Sequence, residues 1–121
     1  MSVDEPVGGP VVIRVTGDID RTTVPVFGEC VAEAIVCGRS LVVDLLDVGF
    51  VCPAGVSVLC AAATRMSANR CKTVIACSPG LQSSLQHAWK GAPIECFDTV
   101  AAAIEVVMRP RASSATRITV P

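Results

Sequence analysis

The sequence contains few aromatic residues, with one Trp, three Phe and no Tyr among 121 residues. Hydrophobic residues still make up 51% of the chain, so the interior must be formed by aliphatic side chains and cysteine. Such a composition is typical of an α/β domain. A chain of this length falls within the range of a single domain, and we expect one hydrophobic core.

An excess of basic charge and a long apolar run are also missing. Ten basic residues stand against eleven acidic ones, for a net charge of −1. Nucleic-acid binding requires a basic stripe, so that partner is not expected. The most apolar window, Ala54 to Ala63, has about half the length of a membrane-spanning helix. Asp4 and Glu5 stand where a secretory signal would be basic, so we expect a cytoplasmic chain without a membrane span.

Metal-ligand spacing is absent as well. The chain has seven Cys but no Cys-x-x-Cys pair, and His87 is its single histidine. We therefore expect no zinc site, no cofactor and, in a reducing cytosol, cysteines that remain mainly thiols. Four of the cysteines lie within or at the ends of apolar elements and are interpreted as core residues: Cys30, Cys60, Cys77 and Cys96.

The two ends of the chain lack apolar periodicity. Residues 1–10 are interpreted as a loose N-terminal segment and residues 109–121 as a flexible tail, with one domain over residues 11–108 between them. Within this domain, short aliphatic runs predict four strands. The predicted strands are Val11 to Val15, Leu41 to Leu45, Thr73 to Cys77 and Ile94 to Phe97.

Helix boundary signals follow each predicted strand. Thr22 or Thr23 is suited to cap a first helix that Gly38 ends, and Pro53 suits the first position of a second helix. Ser78 or Pro79 opens a third helix. Asp98 is predicted to cap the last one, on which Val100, Ile104 and Val107 share a face.

Alternating strands and helices predict the fold class. Strands joined by helices pair in parallel through right-handed crossovers, so we expect a single α/β domain. Its small sheet should be largely parallel or mixed, with about four helices packed against it. Partners of such sheets bind at the carboxyl ends of strands, where Asp47 to Gly55 precedes a helix. A loop at a helix N-terminus is suited to an anion or a phosphorylated side chain.

The residues of this loop resemble the signature of the STAS family, whose best-known members are bacterial anti-sigma factor antagonists. The family pattern is approximately Asp-Leu-Ser, two residues including Val, then Phe, an aliphatic residue and Asp-Ser-(Ser or Thr)-Gly. The chain keeps the frame of this pattern at Asp44-Leu45, Val48, Phe50-Val51 and Gly55.

Two further segments resemble the family. Val15 to Asp20 resembles its Gly-Glu-Leu-Asp turn, and Asp98 to Ile104 resembles its closing Ser-x-x-x-Ala helix. The likeness extends from Val11 to Val107, nearly the whole chain. It predicts a STAS-type domain.

The resemblance implies a transcription regulator that binds an anti-sigma factor, often one with a kinase-like ATP-binding fold, and thereby frees a sigma factor. Binding in the family uses the loop, the following helix and the turn after the first strand. By position, the contact residues expected in this chain are Asp20, Phe50, Val51, Cys52, Pro53, Ala54, Val56 and Ser57.

The centre of the loop departs from the family pattern. Cys52 falls on the loop Asp, Pro53 on the Ser that many members phosphorylate, and Ala54 on the next Ser or Thr. Phosphorylation there adds about two negative charges and breaks the complex. Proline and alanine have no hydroxyl group, so this switch cannot operate at the family position, although Ser57 is an alternative candidate.

Three interpretations of this departure remain open at the level of sequence. The domain can bind an anti-sigma factor under another control or none. Cys52 can replace the phosphorylation switch by thiol chemistry, because a helix N-terminus can activate a cysteine. Finally, the domain can be a scaffold or a transporter-associated subunit that no longer switches.

Catalysis is not expected. Cys52 and His87 could form a nucleophile and base, but no sequence feature brings them within hydrogen-bond reach. The carboxylates near the strand ends are ordinary turn formers, strand ends or caps: Asp18, Asp20, Asp44 and Asp47.

Overall fold

The fold is organised around one mixed β-sheet. The computed structural model describes residues 1–89 and 91–109. Its strands lie side by side in chain order: β1 (Ser2–Asp4), β2 (Val11–Thr16), β3 (Leu41–Asp47), β4 (Thr73–Cys77) and β5 (Ile94–Phe97). β1 is antiparallel to β2, and the other three pairs are parallel. The predicted α/β fold class with a mixed sheet is confirmed.

Four helices alternate with strands β2 to β5, as predicted. They are α1 (Val24–Cys37), α2 (Pro53–Ala68), α3 (Pro79–Gln86) and α4 (Val100–Met108). α1 ends at Gly38, whose φ of 72° lies in the left-handed region that glycine adopts without strain.

The N-terminal cap of α4 differs from the prediction. The Thr99 hydroxyl, and not the Asp98 carboxylate, accepts the hydrogen bond from the Ala102 N–H, at 3.1 Å. Thr99 has extended backbone angles and immediately precedes the first helical residue, which is the position from which a side chain can reach the N–H three residues on. Asp98 stands one residue too early.

The prediction of a loose segment over residues 1–10 is wrong at its start. β1 pairs with β2 through Ser2 and Arg14, Val3 and Ile13, and Asp4 and Val12. All three β1 residues are exposed, so the segment has no apolar pattern by which it could be recognised. Backbone hydrogen bonds to β2 hold it in the sheet. Of the predicted C-terminal tail, all but Arg109 lies outside the described residues.

The core occupies both faces of the sheet. On one face α1, α2 and α3 pack on the strands through residues such as Phe27, Leu59 and Leu81. On the other face Ala103 of α4 packs against one valine each from β2, β3 and β4. Because both faces are covered, β3 begins with five buried residues and β4 is buried throughout, the pattern expected of central parallel strands.

An ion pair marks the point where β2 and β3 approach their carboxyl ends. Arg14 Nε lies 3.1 Å from Asp44 Oδ2, and the other Asp44 oxygen accepts the Leu46 N–H at 3.0 Å. Asp44 is buried, so both bonds compensate for its removal from water. Beyond it the register shifts between β2 and β3, and the chain leaves the sheet toward the loop.

Candidate functional site

The loop after β3 is tied to the turn after β2. The Ile19 N–H donates to the Phe50 carbonyl at 2.9 Å, and the Cys52 N–H donates to the Ile19 carbonyl at 2.8 Å. These two bonds form an isolated parallel bridge between Ile19 and Val51. The two segments predicted to share one surface are therefore joined by their backbones.

Asp18 adds a third tie to the same loop. Its carboxylate oxygen Oδ1 accepts the Gly49 N–H at 3.2 Å. The sequence alone indicated only a turn former at this position. The likeness of Val15 to Asp20 to the family turn was the signal that pointed to this segment, but only the structure shows which residue holds the loop.

Gly55 is required by a close approach of α2 to the bridge. A Cβ atom at this position would lie 2.8 Å from Ile19 Cγ2 and 2.9 Å from Val51 Cγ1. Real Cβ contacts are longer, so any larger residue would push the helix away from the two segments. The glycine of the family frame thus sets the distance between α2 and the loop.

The predicted contact residues divide into an exposed set and a buried set. Phe50 is 51% exposed, and the surface continues over Pro53, Ala54 and Ser57, which are also exposed. We call these four residues the loop surface. The other three predicted contacts from the loop and helix are buried beneath it, with exposures of 6–8%: Val51, Cys52 and Val56.

Asp20 lies in the adjoining turn and is exposed. Its Oδ1 accepts the Thr22 hydroxyl at 2.6 Å and the Thr22 and Thr23 N–H groups at 2.9 and 3.2 Å. The hydrogen bond from the Thr22 hydroxyl is the main reason why the pKa of Asp20 is lowered from its ordinary value. Asp20 is therefore ionised at neutral pH, and its second oxygen, Oδ2, can contact a partner.

Further carboxylate side chains lie in the two segments that meet at the loop of Phe50. Asp18 and Asp47 are exposed like Asp20, and each belongs to one of the two segments that meet at the loop. Leu46, at 38% exposure, adds an apolar side chain from the end of β3. The region thus combines apolar groups with negative charge.

The start of α2 is less suited to an anion than the sequence indicated. Pro53 occupies the first turn and contributes no N–H group, and the Cys52 side chain makes no capping hydrogen bond. An open depression of about 330 Å³ lies here, and it is lined by Val51, Pro53, Val56, Ser57 and Ala88. Apart from the Ser57 hydroxyl this lining is apolar, so the depression suits an apolar side chain.

The cysteine and histidine considered for catalysis are not joined. Cys52 is a buried free thiol, whereas His87 is the exposed residue that follows α3. No hydrogen bond links them in the part of the chain that the structure describes. Residues 1–89 and 91–109 also contain no cluster of three or more His, Cys, Asp or Glu placed to hold a metal ion. None of the helices described is long and apolar enough to cross a membrane.

Comparison with known proteins identifies the family. The model of the STAS domain matches residues 3–103. The chain therefore belongs to the STAS family, and the resemblance carried by the loop is confirmed. A comparison with curated protein sequences finds no match.

Solved structures of anti-sigma factor antagonists share the fold. SpoIIAA in its unphosphorylated form superposes with a TM-score of 0.69 at 21% identity, covering 88% of this chain and 96% of its own. An antagonist from Mycobacterium paratuberculosis has a TM-score of 0.69 at 20% identity, with 89% and 92% covered. A putative antagonist from Thermotoga maritima has a TM-score of 0.69 at 19% identity, with 87% and 92% covered.

Proposed function

We propose that this chain is a non-enzymatic regulator, an anti-sigma factor antagonist that binds its partner through the loop surface and Asp20. The observation that carries the proposal is Phe50, a half-exposed aromatic side chain on a loop whose backbone is held by Ile19 and Asp18. Large aromatic residues dominate the energy of protein interfaces when a partner buries them. A loop that is already ordered loses little entropy on binding.

The apolar and acidic side chains around Phe50 indicate which groups a partner should present. An anti-sigma factor that binds here should offer an apolar pocket for the aromatic ring and basic residues at its rim, facing Asp20 and Asp47. The likeness of the fold to structures of anti-sigma factor antagonists supports this class of partner. We also propose that this partner has a kinase-like fold and that the complex regulates transcription in the cytoplasm.

The proposal does not include control by phosphorylation at the family position, because the residues there have no group that can accept a phosphate. Pro53 and Ala54 carry no hydroxyl, and the thiol of Cys52 is buried at 6% exposure, which also makes it a poor switch. Ser57 is exposed and has a hydroxyl, but it lies one helical turn further into α2. We propose that binding is set by the abundance of the two proteins.

Calorimetry of the reduced chain with anti-sigma factors from the same cell tests the proposal. We expect a complex that Phe50→Ala weakens by roughly tenfold or more. The control is Val36→Ala, which shortens another exposed apolar side chain, 85% exposed, in the last turn of α1. ATP added to the complex should leave it intact.

Three outcomes would contradict the proposal. If no anti-sigma factor binds, a scaffold or transporter-associated role becomes the better interpretation. If binding occurs but Phe50→Ala and Val36→Ala have the same effect, the partner uses another surface. Release of the complex by ATP, with phosphate found on Ser57, would restore a phosphorylation switch at a new position.

A further inference from the structure

Several basic side chains lie at the end of the sheet opposite the loop surface. Strands β2, β3 and β4 are parallel and begin side by side, with Val11, Leu41 and Thr73 in register. Ser40 and Lys72 directly precede β3 and β4, and the Lys72 N–H donates to the Ser40 hydroxyl oxygen at 2.9 Å. This hydrogen bond holds the amino ends of the two central strands together.

Two adjoining depressions open at these amino ends, with volumes of about 260 and 310 Å³. Both are bordered by the same four residues: Gly8, Ser40, Val107 and Met108. Arg39 lines the first depression. The second is lined by three further basic residues: Arg70, Lys72 and Arg109. Within residues 1–89 and 91–109, no Asp or Glu lines either depression.

The N–H groups of these side chains are only partly used by the protein. Arg39 donates from Nη2 to the Pro6 carbonyl at 3.2 Å, and its buried Nε has no partner among the described residues. Lys72 Nζ lies 3.5 Å from the Val106 carbonyl of α4, which is long for such a bond. A guanidinium or ammonium group has several donors, so acceptor oxygens from a ligand would satisfy those that remain.

The helix ends nearby account for only part of this basic charge. Cations stabilise a helix C-terminus, and Arg39, Arg70 and Arg109 follow the ends of α1, α2 and α4. However, Arg39 donates to the connection between β1 and β2 and not to a carbonyl of α1. Arg70 has a φ of 62°, a conformation that glycine adopts with less strain. A helix end alone therefore does not explain an arginine at this position.

We propose that the two depressions bind the diphosphate group of a small molecule, with one phosphate next to Arg39 and the other next to Lys72. Guanidinium and ammonium groups are the usual protein ligands of phosphate oxygens. Because the depressions share Gly8 and Ser40, two linked phosphates can occupy both. The Ser40 hydroxyl oxygen already accepts a hydrogen bond, so its own hydrogen can be donated to the ligand.

The distribution of charge favours a small anion. The whole chain has a net charge of −1, so the positive charge at the amino ends is local. A nucleic-acid backbone would require a longer basic stripe. The apolar side chains of Val107 and Met108, which border both depressions, can contact an organic group that carries the diphosphate.

Calorimetric titration of the full-length chain with inorganic pyrophosphate tests the proposal. We expect it to bind roughly tenfold or more tightly than orthophosphate or sulfate, because it contacts both depressions. Arg39→Gln and Lys72→Gln should each weaken binding by roughly tenfold. The control is Arg65→Gln, which removes an exposed basic side chain from the last turn of α2 that lines neither depression and should leave binding unchanged. Tighter binding of ADP than of pyrophosphate would identify an organic diphosphate as the ligand, and equal binding the free anion.

Amide resonances of the unaltered chain locate the site without a variant. In an NMR titration with pyrophosphate, the amide signals of Gly8 and Ser40 should shift, whereas that of Gly49 in the loop after β3 should not. This measurement decides the position of the site even if Arg39→Gln or Lys72→Gln does not fold.

Other results would overturn the proposal. These are no binding of pyrophosphate at millimolar concentration, equal affinities for pyrophosphate and orthophosphate, an equal loss of affinity in all three variants, or a shift at Gly49 without one at Gly8. The depressions lie at the opposite end of the sheet from the loop surface, and the measurements need no partner protein. Their outcome is therefore independent of the proposed antagonist function.

Discussion

A single missing methyl group determines how α2 meets the loop. At Gly55 any Cβ atom would contact Ile19 and Val51 at distances below 3.0 Å. We expect Gly55→Ala to lower the free energy of unfolding by about 1–3 kcal/mol, because overpacking shifts the helix or the bridge. Urea denaturation followed by circular dichroism measures this loss.

The matched control is Gly28→Ala in the middle of α1. A Cβ there meets no atom within 4 Å, so alanine should stabilise the helix, by up to about 1 kcal/mol. Equal effects of the two substitutions would mean that the close approach at Gly55 is relieved without cost. In that case the glycine would not set the distance between α2 and the loop.

Residues differ in how far their roles can be predicted from sequence. Pro53 begins α2 as predicted, because a proline at the first helical position depends only on local geometry. The tie from Asp18 to Gly49 and the ion pair of Arg14 with Asp44 join residues far apart in the chain. Composition and spacing contain no information about such contacts until the topology is known.

At the scale of elements, Asp98 and Thr99 can be compared as the N-terminal cap of α4. Thr99→Ala removes the hydroxyl that accepts the Ala102 N–H, and we expect a loss of about 1 kcal/mol in the free energy of unfolding. Asp98→Ala, at the position the sequence indicated, should have little effect. A larger loss from Asp98→Ala than from Thr99→Ala would show that the carboxylate caps the helix in solution.

Elements with a strong apolar pattern were predicted with nearly their observed bounds. β4 and β5 agree with the prediction residue for residue, and β3 extends two residues further, through exposed Leu46 and Asp47. β1 was missed because its residues are exposed and its stability comes from pairing with a distant strand. The loop was located by its family frame, but the burial of Cys52 and Val56 required the packing of α2.

At the scale of the whole molecule, β1 decides whether β2 is an inner strand or an edge. β2 contains four residues that are buried, and β1 covers its free side by antiparallel pairing. Deletion of residues 2–5 would leave the N–H and C=O groups of a largely apolar strand open to another chain. We expect the free energy of unfolding to fall by about 1–3 kcal/mol, through lost hydrogen bonds.

Sedimentation velocity and urea denaturation of the shortened chain measure both consequences. Self-association should increase with protein concentration, because an uncovered edge strand is a template for pairing with a second copy. Val7→Ser, in the exposed connection between β1 and β2, is the control that leaves the pairing intact. A shortened chain that unfolds and sediments like this control would mean that β2 does not need its antiparallel neighbour, and that the domain begins at Val11 as its apolar pattern suggests.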